Sequence, residues 1–296
     1  MTSRSASGHL PRAFDLEALG DGRFRASSIG DPEVHDVVFG GQILAQAILA
    51  SEAAAANAGS VPERNSGKDL ASLHTVFSRV ATITKPLEID VEVIHDGRTA
   101  SSQTITVHQG DRICARALAL RQAPAADLIR HQHGAPQTAP PADCKPAEPR
   151  GLVVEGTEVR IAGVADTWDS SAPSGPPELN VWIRPPGRQD QSEALSQALL
   201  AYATDGFLIG AAMRPHDGVG QEMAHRSLTT GVVTHTLEFH EPVPPGNWLL
   251  MSQESTYSGR GRAFGRAQVF DESGALVASF SQESIIRDGR RPDARL

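Results

Sequence analysis

The chain has 296 residues, of which 40% are hydrophobic and 21% are charged, and this composition is typical of a globular protein with room for two domains. The formal net charge of −8 argues against a nucleic-acid partner, since the one basic run is a short tail at 287–291. Acidic ligands would have to be held by local positive charge, because the chain as a whole does not attract them.

Features that would direct the chain out of the cytoplasm are missing from the sequence. Residues 1–12 lack the apolar segment of a signal peptide, and no apolar run approaches the length of a membrane span. Two cysteines, Cys114 and Cys144, are too few for a disulfide framework. We therefore expect a cytoplasmic protein, and the tripeptide Ala-Arg-Leu at 294–296 would indicate peroxisomes only in a eukaryote.

The first half of the chain predicts one buried helix followed by a sheet. Residues 14–27 are typical of two short strands around a turn at 20–22. The segment from Gly40 to about Ala56 is apolar on most of its faces, as in a helix buried on all sides. Alternating polar and apolar residues then predict antiparallel strands at about 72–84, 87–96, 99–109 and 112–122.

The second half repeats this order after a proline-rich segment. Residues 124–150 contain six prolines and predict an extended linker, so the expected domains are 1–123 and 151–296. Ser192 is suited to cap a helix at 193–204. Further strands are predicted at about 232–241, 247–257, 262–270 and 276–287.

Shared landmarks relate the two halves. Each sheet opens on a histidine, His74 or His235, and carries Gly-Arg near its middle. Buried helix and antiparallel sheet, written twice, predict an α+β fold of the double hot-dog type, in which two helix-wrapped sheets form an intramolecular pseudo-dimer. A site is expected where the two units meet.

Two glycines at the start of the first helix allow two interpretations. The amides around Gly40, Gly41 and Gln42 could stabilise an oxyanion, because glycine lets a ligand approach the backbone and the helix dipole favours negative charge there. The alternative is a tight turn that requires positive φ. The sequence does not decide between them.

Polar residues of the second half supply the rest of the expected site. Asp205 ends the second helix and could hold or deprotonate a water, although a helix end is also an ordinary place for a polar residue. Gln282 in the last strand could orient the same water, and Leu118 stands at the matching place in the first half. Thr234 could add a hydroxyl, and an ordinary strand threonine is the alternative.

Established catalytic motifs are missing, with no Gly-x-Ser-x-Gly elbow, no His-Glu-x-x-His and no Walker loop. His235 and His240 are candidate bases by residue type, but a histidine beside an apolar sheet is more often structural. The sequence contains no spaced Cys/His set for a metal.

Four stretches resemble the acyl-CoA thioesterase II family, and the resemblance spans nearly the whole chain. They are Val-Phe-Gly-Gly-Gln at 38–42, Tyr-Ala-Thr-Asp at 202–205, Phe-His-Glu-Pro at 239–242 and Val-Ala-Ser-Phe-Ser-Gln-Glu at 277–283. The resemblance implies a double hot-dog that hydrolyses fatty acyl-CoA to free acid and CoA without a metal or organic cofactor. It also implies Asp205 and Gln282 as two of three residues that bind and activate water.

The third residue, a hydroxyl, does not transfer cleanly. Counted back from the His-x-x-x-Phe-His-x-Pro run at 235–242, it is expected at position 232, where this chain has Val232. Thr234 is two residues on, on the same face of a regular strand, and is the expected replacement. The alternative is a catalytically weak or inactive acyl-CoA-binding protein.

The resemblance implies direct attack of water on a thioester whose carbonyl points at the first turn of the first helix. Burial of Asp205 would raise its pKa and suit it to act as a base near neutrality. Candidate contacts to the CoA phosphates are Arg98, Arg260 and Arg262, near the predicted turns. A homodimer or higher homo-oligomer is expected.

A hot-dog hydratase is the nearest other enzyme. Those enzymes resemble this fold but carry a histidine five residues after their aspartate, and here that position holds Gly210. The sequence therefore disfavours dehydration chemistry.

Overall fold

The computed structural model describes residues 14–30, 36–57, 67–148, 154, 156–163 and 165–289. Three α-helices lie in this part: α1 Gly40–Asn57, α2 Glu193–Thr204 and α3 Leu208–Met213. The first six strands are β1 Leu16–Gly20, β2 Arg23–Ala26, β3 Asp69–Phe77, β4 Leu87–Asp96, β5 Ala100–Gln109 and β6 Arg112–Gln122. The others are β7 Lys145–Ala147, β8 Glu158–Ile161, β9 Glu178–Arg184, β10 Leu228–Phe239, β11 Leu249–Gly259, β12 Arg262–Asp271 and β13 Leu276–Asp288.

All thirteen strands belong to one antiparallel sheet, in the order β1-β2-β4-β5-β6-β3-β10-β13-β12-β11-β9-β8-β7. The two units join at β3 and β10, where Thr75 pairs with His235. The predicted α+β double hot-dog is confirmed, and its two sheets are continuous. No helix in the described ranges has the length and apolar character needed to cross a membrane.

The two long helices meet in the core, so that the start of α1 lies against the end of α2. The ring centroids of Phe39 and Tyr202 are 5.1 Å apart, with the rings at an angle of 63°. The ring of Phe14, also from the first unit, lies 6.0 Å from that of Tyr202. Ser192 caps α2 as predicted, because its hydroxyl accepts a hydrogen bond from the Leu195 amide at 3.3 Å. This packing brings the glycine pair at the start of α1 next to Asp205 at the end of α2.

Several predicted boundaries are wrong in ways that affect the site. Strand β3 ends at Phe77 and does not continue to 84, because the Ser78 and Arg79 amides both turn to the Cys114 carbonyl. Strand β10 begins at Leu228, four residues earlier than predicted. Helix α3 has no counterpart in the sequence-based prediction.

The segment predicted as a linker, 124–150, lies along the C-terminal unit over its described residues. Gln132 accepts a hydrogen bond from the Leu276 amide at 3.1 Å, and Trp182 donates to the Ala139 carbonyl at 2.9 Å. Strand β7 pairs with β8 and so extends the sheet. Strand β8 pairs in turn with β9. The C-terminal tripeptide lies outside the described residues.

Candidate active site

Asp205 lies at the C-terminal end of α2, buried to 7% exposure. Its Oδ2 accepts a hydrogen bond from the Gly41 amide in the first turn of α1 at 2.9 Å. Its Oδ1 is buried and has no hydrogen-bond partner among the described residues. One oxygen is thus held by the protein, and the other is left to accept a proton or a hydrogen bond from a bound molecule.

The environment of Asp205 raises the pKa of its carboxyl group from 3.8 to about 7. Burial is the main cause, since removal from water disfavours the charged form, and the Gly41 hydrogen bond opposes it. A carboxylate with this pKa is half ionised near neutrality, which suits a general base.

The glycine pair is explained by close approach to α2. A Cβ on Gly40 would lie 2.7 Å from Asp205 Oδ2, and a Cβ on Gly41 would lie 2.2 Å from the Tyr202 carbonyl oxygen. Neither glycine is among the described residues with positive φ. Of the two interpretations left open by the sequence, the tight turn is therefore wrong.

The expectation that the amides of Gly41 and Gln42 form an oxyanion hole is also wrong for this state of the protein. The Gly41 amide donates to Asp205, and the Gln42 amide donates to the Phe39 carbonyl at 3.0 Å. The Gln42 side chain is fully buried and accepts from the Ile29 amide at 3.0 Å, so it tethers the segment after β2. Gly40 alone of the three lines the cavity described below.

Gln282 reaches the same interior from β13, with 1% exposure. It pairs across the sheet with His235, whose ring contacts the residue before Asp205. The Gln282 amide nitrogen donates to the Ser284 hydroxyl at 2.9 Å, and Oε1 is buried without a partner among the described residues. Because Ser284 binds the nitrogen, the carboxamide offers its oxygen to a bound molecule.

Ser284 was missed by the sequence-based reasoning. The signal that could have found it is its spacing, two residues after Gln282 on one strand, which places both side chains on one face. Both side chains are buried, with 3% exposure for Ser284 and 1% for Gln282.

Thr234 does not join this group, which corrects the prediction made for it. A β-bulge separates Val232, which pairs with Ser284, from Thr234, which pairs with Glu283. The extra residue turns Thr234 to the outer face of the sheet, where it also pairs with Val76, a residue that is 53% exposed. Val232 remains on the face of Gln282 and lines the cavity, so the position expected to hold a hydroxyl faces the site but is apolar.

His235 is fully buried beside the site and is neutral. The Thr204 hydroxyl donates to the Ala201 carbonyl at 2.8 Å, so it can only accept from His235 Nε2, at 3.1 Å. This places the proton on Nε2, and burial lowers the pKa of His235 to about 4. His240 is remote, since it contacts Ser279 on β13 at 2.9 Å.

The first unit carries no copy of this polar set on the corresponding strands. Leu118, aligned with Gln282 from the sequence, lies on the outer face with 53% exposure. The buried face of β6 presents Ala117 and Ala119 instead. The repeat is thus chemically asymmetric, as the sequence predicted, although the residue alignment there is off by one.

A cavity of about 740 Å³ opens beside Asp205 and Gly40. Its apolar lining includes Phe39, Phe77 and Ile209. Three arginines also line it: Arg79, Arg112 and Arg226. None of the arginines predicted from the sequence, Arg98, Arg260 and Arg262, is among the described residues that line it.

Two family models match the chain. A model for the acyl-CoA thioesterase N-terminal domain matches residues 30–122, and one for the acyl-CoA thioesterase C-terminal domain matches residues 134–286. The second match begins within the segment predicted as a linker.

Similar proteins agree with these matches over nearly the full length of the chain. "Acyl-CoA thioesterase 2" of Haemophilus influenzae is 26% identical and covers 94% of this chain and 97% of its own. The acyl-CoA thioesterase II TesB2 of Mycobacterium marinum is 26% identical with a TM-score of 0.74, over 94% of this chain and 98% of its own. A hot-dog protein of unknown function from Alicyclobacillus acidocaldarius, 21% identical with a TM-score of 0.71, covers 93% and 97% of the two chains and shows the same fold.

Proposed function

The chain belongs to the acyl-CoA thioesterase family and hydrolyses acyl-CoA thioesters, and we propose that it does so by direct attack of a water held between Asp205 and Gln282. The observation that carries the mechanism is that Asp205 Oδ1 and Gln282 Oε1 are both buried and are among the side-chain atoms without a hydrogen-bond partner in the described part of the chain. Buried polar atoms of this kind are rare unless a ligand or water satisfies them.

A water between these two acceptors would be oriented for attack. It donates one hydrogen to Asp205 Oδ1 and the other to Gln282 Oε1, which leaves an oxygen lone pair free for the thioester carbon. Asp205 takes a proton as the new carbon–oxygen bond forms. The carbon–sulfur bond then breaks, and the proton passes to the thiolate sulfur, so that free acid and CoA leave and Asp205 is ionised again.

The carbonyl oxygen is proposed to lie at Gly40. This glycine lines the cavity at the start of α1, where the helix dipole is positive and a side chain would fill the space next to Asp205. The same dipole favours the ionised form of Asp205.

Ser284 is proposed to hold the Gln282 carboxamide in the orientation that the reaction needs. Its hydroxyl binds the nitrogen at 2.9 Å, and without it the amide is free to present an N–H to the water in place of the oxygen. Val232 on β10 pairs directly with Ser284 on β13. The hydroxyl expected at position 232 is therefore absent from β10, but the Ser284 hydroxyl lies beside that position on the neighbouring strand. Ser284 replaces Thr234 as the third residue of the proposed site.

The proposed reaction uses neither a metal nor an organic cofactor. The cytoplasm is the proposed compartment, and two free, buried cysteines support it. A homo-oligomer is proposed because exposed apolar side chains, including Val76, Leu118 and Phe264, lie on the outer face of the continuous sheet. Light scattering of the purified protein would measure its mass in solution.

Thiol release from a panel of acyl-CoAs tests the function. Wild-type protein should release CoA, and the acyl chain with the highest kcat/KM identifies the preferred length. Absence of release, together with a rise in Tm on adding acyl-CoA, would support the alternative of an acyl-CoA-binding protein without turnover.

A further inference from the structure

We propose that Arg79, Arg112 and Arg226 form the subsite that binds the phosphates at the nucleotide end of CoA. The proposal rests on the proposed function of the Asp205 cavity and adds the means by which this cavity selects the thiol half of its substrate. It replaces the three arginines that the sequence suggested.

The three arginines come from different parts of the chain and meet at one cavity. Arg79 follows β3, Arg112 opens β6 and Arg226 precedes β10. Each lines the cavity that Asp205 lines. The early end of β3 makes this possible, because a strand continued through residue 84 would carry Arg79 along the sheet.

These side chains are available to an anion. No ion pair between described residues involves any of the three, whereas Arg121, Arg184 and Arg262 each pair with a glutamate. The bonds that Arg79 and Arg112 do form are long ones to backbone carbonyls, at 3.4 and 3.2 Å. Asp205 is the one carboxylate among the described residues that line the cavity.

Positive side chains outnumber carboxylates at this cavity, although the chain as a whole is negative. The formal net charge is −8, so a highly charged anion is repelled by the rest of the surface and needs a specific site. Guanidinium groups bind phosphate oxygens through two parallel N–H donors, which gives both strength and orientation. The nucleotide end of CoA carries a pyrophosphate and a 3′-phosphate and so offers several such acceptors.

The spacing along β10 suits an elongated substrate. Val232, which pairs with Ser284, and Leu228 both line the cavity, and they are four residues apart, or roughly 13 Å at the rise of an antiparallel strand. Arg226 lies in the turn just before Leu228, where the His225 amide donates to the Leu228 carbonyl. A thioester at Asp205 would therefore reach the arginines through an extended pantetheine arm, which is the part of CoA that separates sulfur from phosphate.

Two substrates with the same acyl chain test the proposal. Acyl-CoA carries the phosphates, and the acyl thioester of N-acetylcysteamine keeps the reacting bond but lacks them. Arg79→Gln, Arg112→Gln and Arg226→Gln should each lower the ratio of kcat/KM for the first substrate to kcat/KM for the second by about tenfold, as expected for a charge-assisted hydrogen bond. The loss should lie mainly in KM. Arg98→Gln, an exposed arginine on the β4–β5 turn outside the cavity, is the matched control and should leave the ratio at its wild-type value.

A direct binding measurement keeps the subsite testable apart from turnover. Adenosine 3′,5′-bisphosphate should bind wild-type protein in calorimetry and bind the triple variant at least tenfold more weakly, while inorganic phosphate separates general anion binding from nucleotide recognition. An unchanged substrate ratio in the three variants would overturn the subsite. An equal loss on both substrates would also overturn it, because it would show a structural role. Wild-type protein that hydrolyses neither thioester would instead overturn the proposed function, and the calorimetry would still decide the subsite.

Discussion

The Gly41 amide donates a hydrogen bond to Asp205 Oδ2 at 2.9 Å, so α1 of the first unit fixes the carboxylate at the end of α2 of the second unit. The link joins residues that are 164 positions apart. It uses the positive end of α1 to favour a charge that burial opposes, and the balance leaves the pKa of Asp205 at about 7. Residues of both units thus hold the Asp205 carboxylate in place.

Asp205→Asn should reduce kcat by at least about a hundredfold, because the amide cannot take a proton from water. Its carbonyl oxygen can still accept from the Gly41 amide, so the fold and the KM for acyl-CoA should change little. Thiol release and a thermal melt of the same preparation measure both. A variant that retains more than a tenth of wild-type kcat would exclude Asp205 as the base.

The activity should rise with pH through the pKa of Asp205. In the free enzyme this pKa is about 7, so kcat/KM should increase up to that region and then level off. His235, whose pKa is about 4, stays neutral throughout and adds no step above pH 5. A profile of kcat/KM from pH 5 to 9 checks this, and a flat profile would contradict the assignment of the base.

Stability should depend on pH in the opposite direction. The folded pKa of about 7 exceeds the ordinary value of 3.8, so between these values the folded chain keeps a proton that the unfolded chain has lost. The contribution of this carboxyl to the free energy of unfolding is therefore full below about pH 4. It falls by up to about 4 kcal/mol as the pH rises through 7, and it does not change further at higher pH. Asp205→Asn removes the dependence, and urea unfolding of both proteins at pH 5 and pH 8 would show the variant gaining relative to wild type at the higher pH.

The two glycines of α1 should respond differently to alanine. In Gly41→Ala the added carbon would lie 2.2 Å from the Tyr202 carbonyl oxygen, so the backbone must move. The free energy of unfolding should therefore fall by about 1–3 kcal/mol. In Gly40→Ala the clash is with the Asp205 carboxylate, which can rotate, so activity should fall more than stability. Equal effects of the two substitutions on Tm and on kcat would contradict this division.

The sequence predicted the parts of the fold that depend on local pattern. Apolar helices, the Ser192 cap and the alternating strands follow from the spacing of residues along the chain. The prediction that Asp205 ends a helix is also confirmed. The sequence could not predict the bulge next to Thr234, because one extra residue in a ladder leaves no mark in the alternation of a strand rich in β-branched residues. The arginines of the cavity were also missed, since Arg79 and Arg226 are brought together by the pairing of β3 with β10.

The pair formed by Val232 and Ser284 gives the sharpest test of the proposed water site. Ser284→Ala should lower kcat about tenfold with little change in KM, because the Gln282 carboxamide loses the partner that sets its orientation. Thr234→Ala is the matched control: it removes a hydroxyl from the same neighbourhood but on the outer face, so kcat should stay at the wild-type value.

Adding a hydroxyl across the ladder should compensate for the loss of Ser284. Val232 is directly opposite Ser284 and faces the cavity, and threonine has nearly the same shape as valine, so Val232→Thr in the Ser284→Ala background places a new acceptor within reach of Gln282. The double variant should recover most of the lost kcat, whereas a purely structural role for Ser284 would leave kcat low and lower Tm instead. Steady-state kinetics and thermal melts of the four proteins form one double-mutant cycle, and strict additivity in kcat would show that the two positions do not act on the same group.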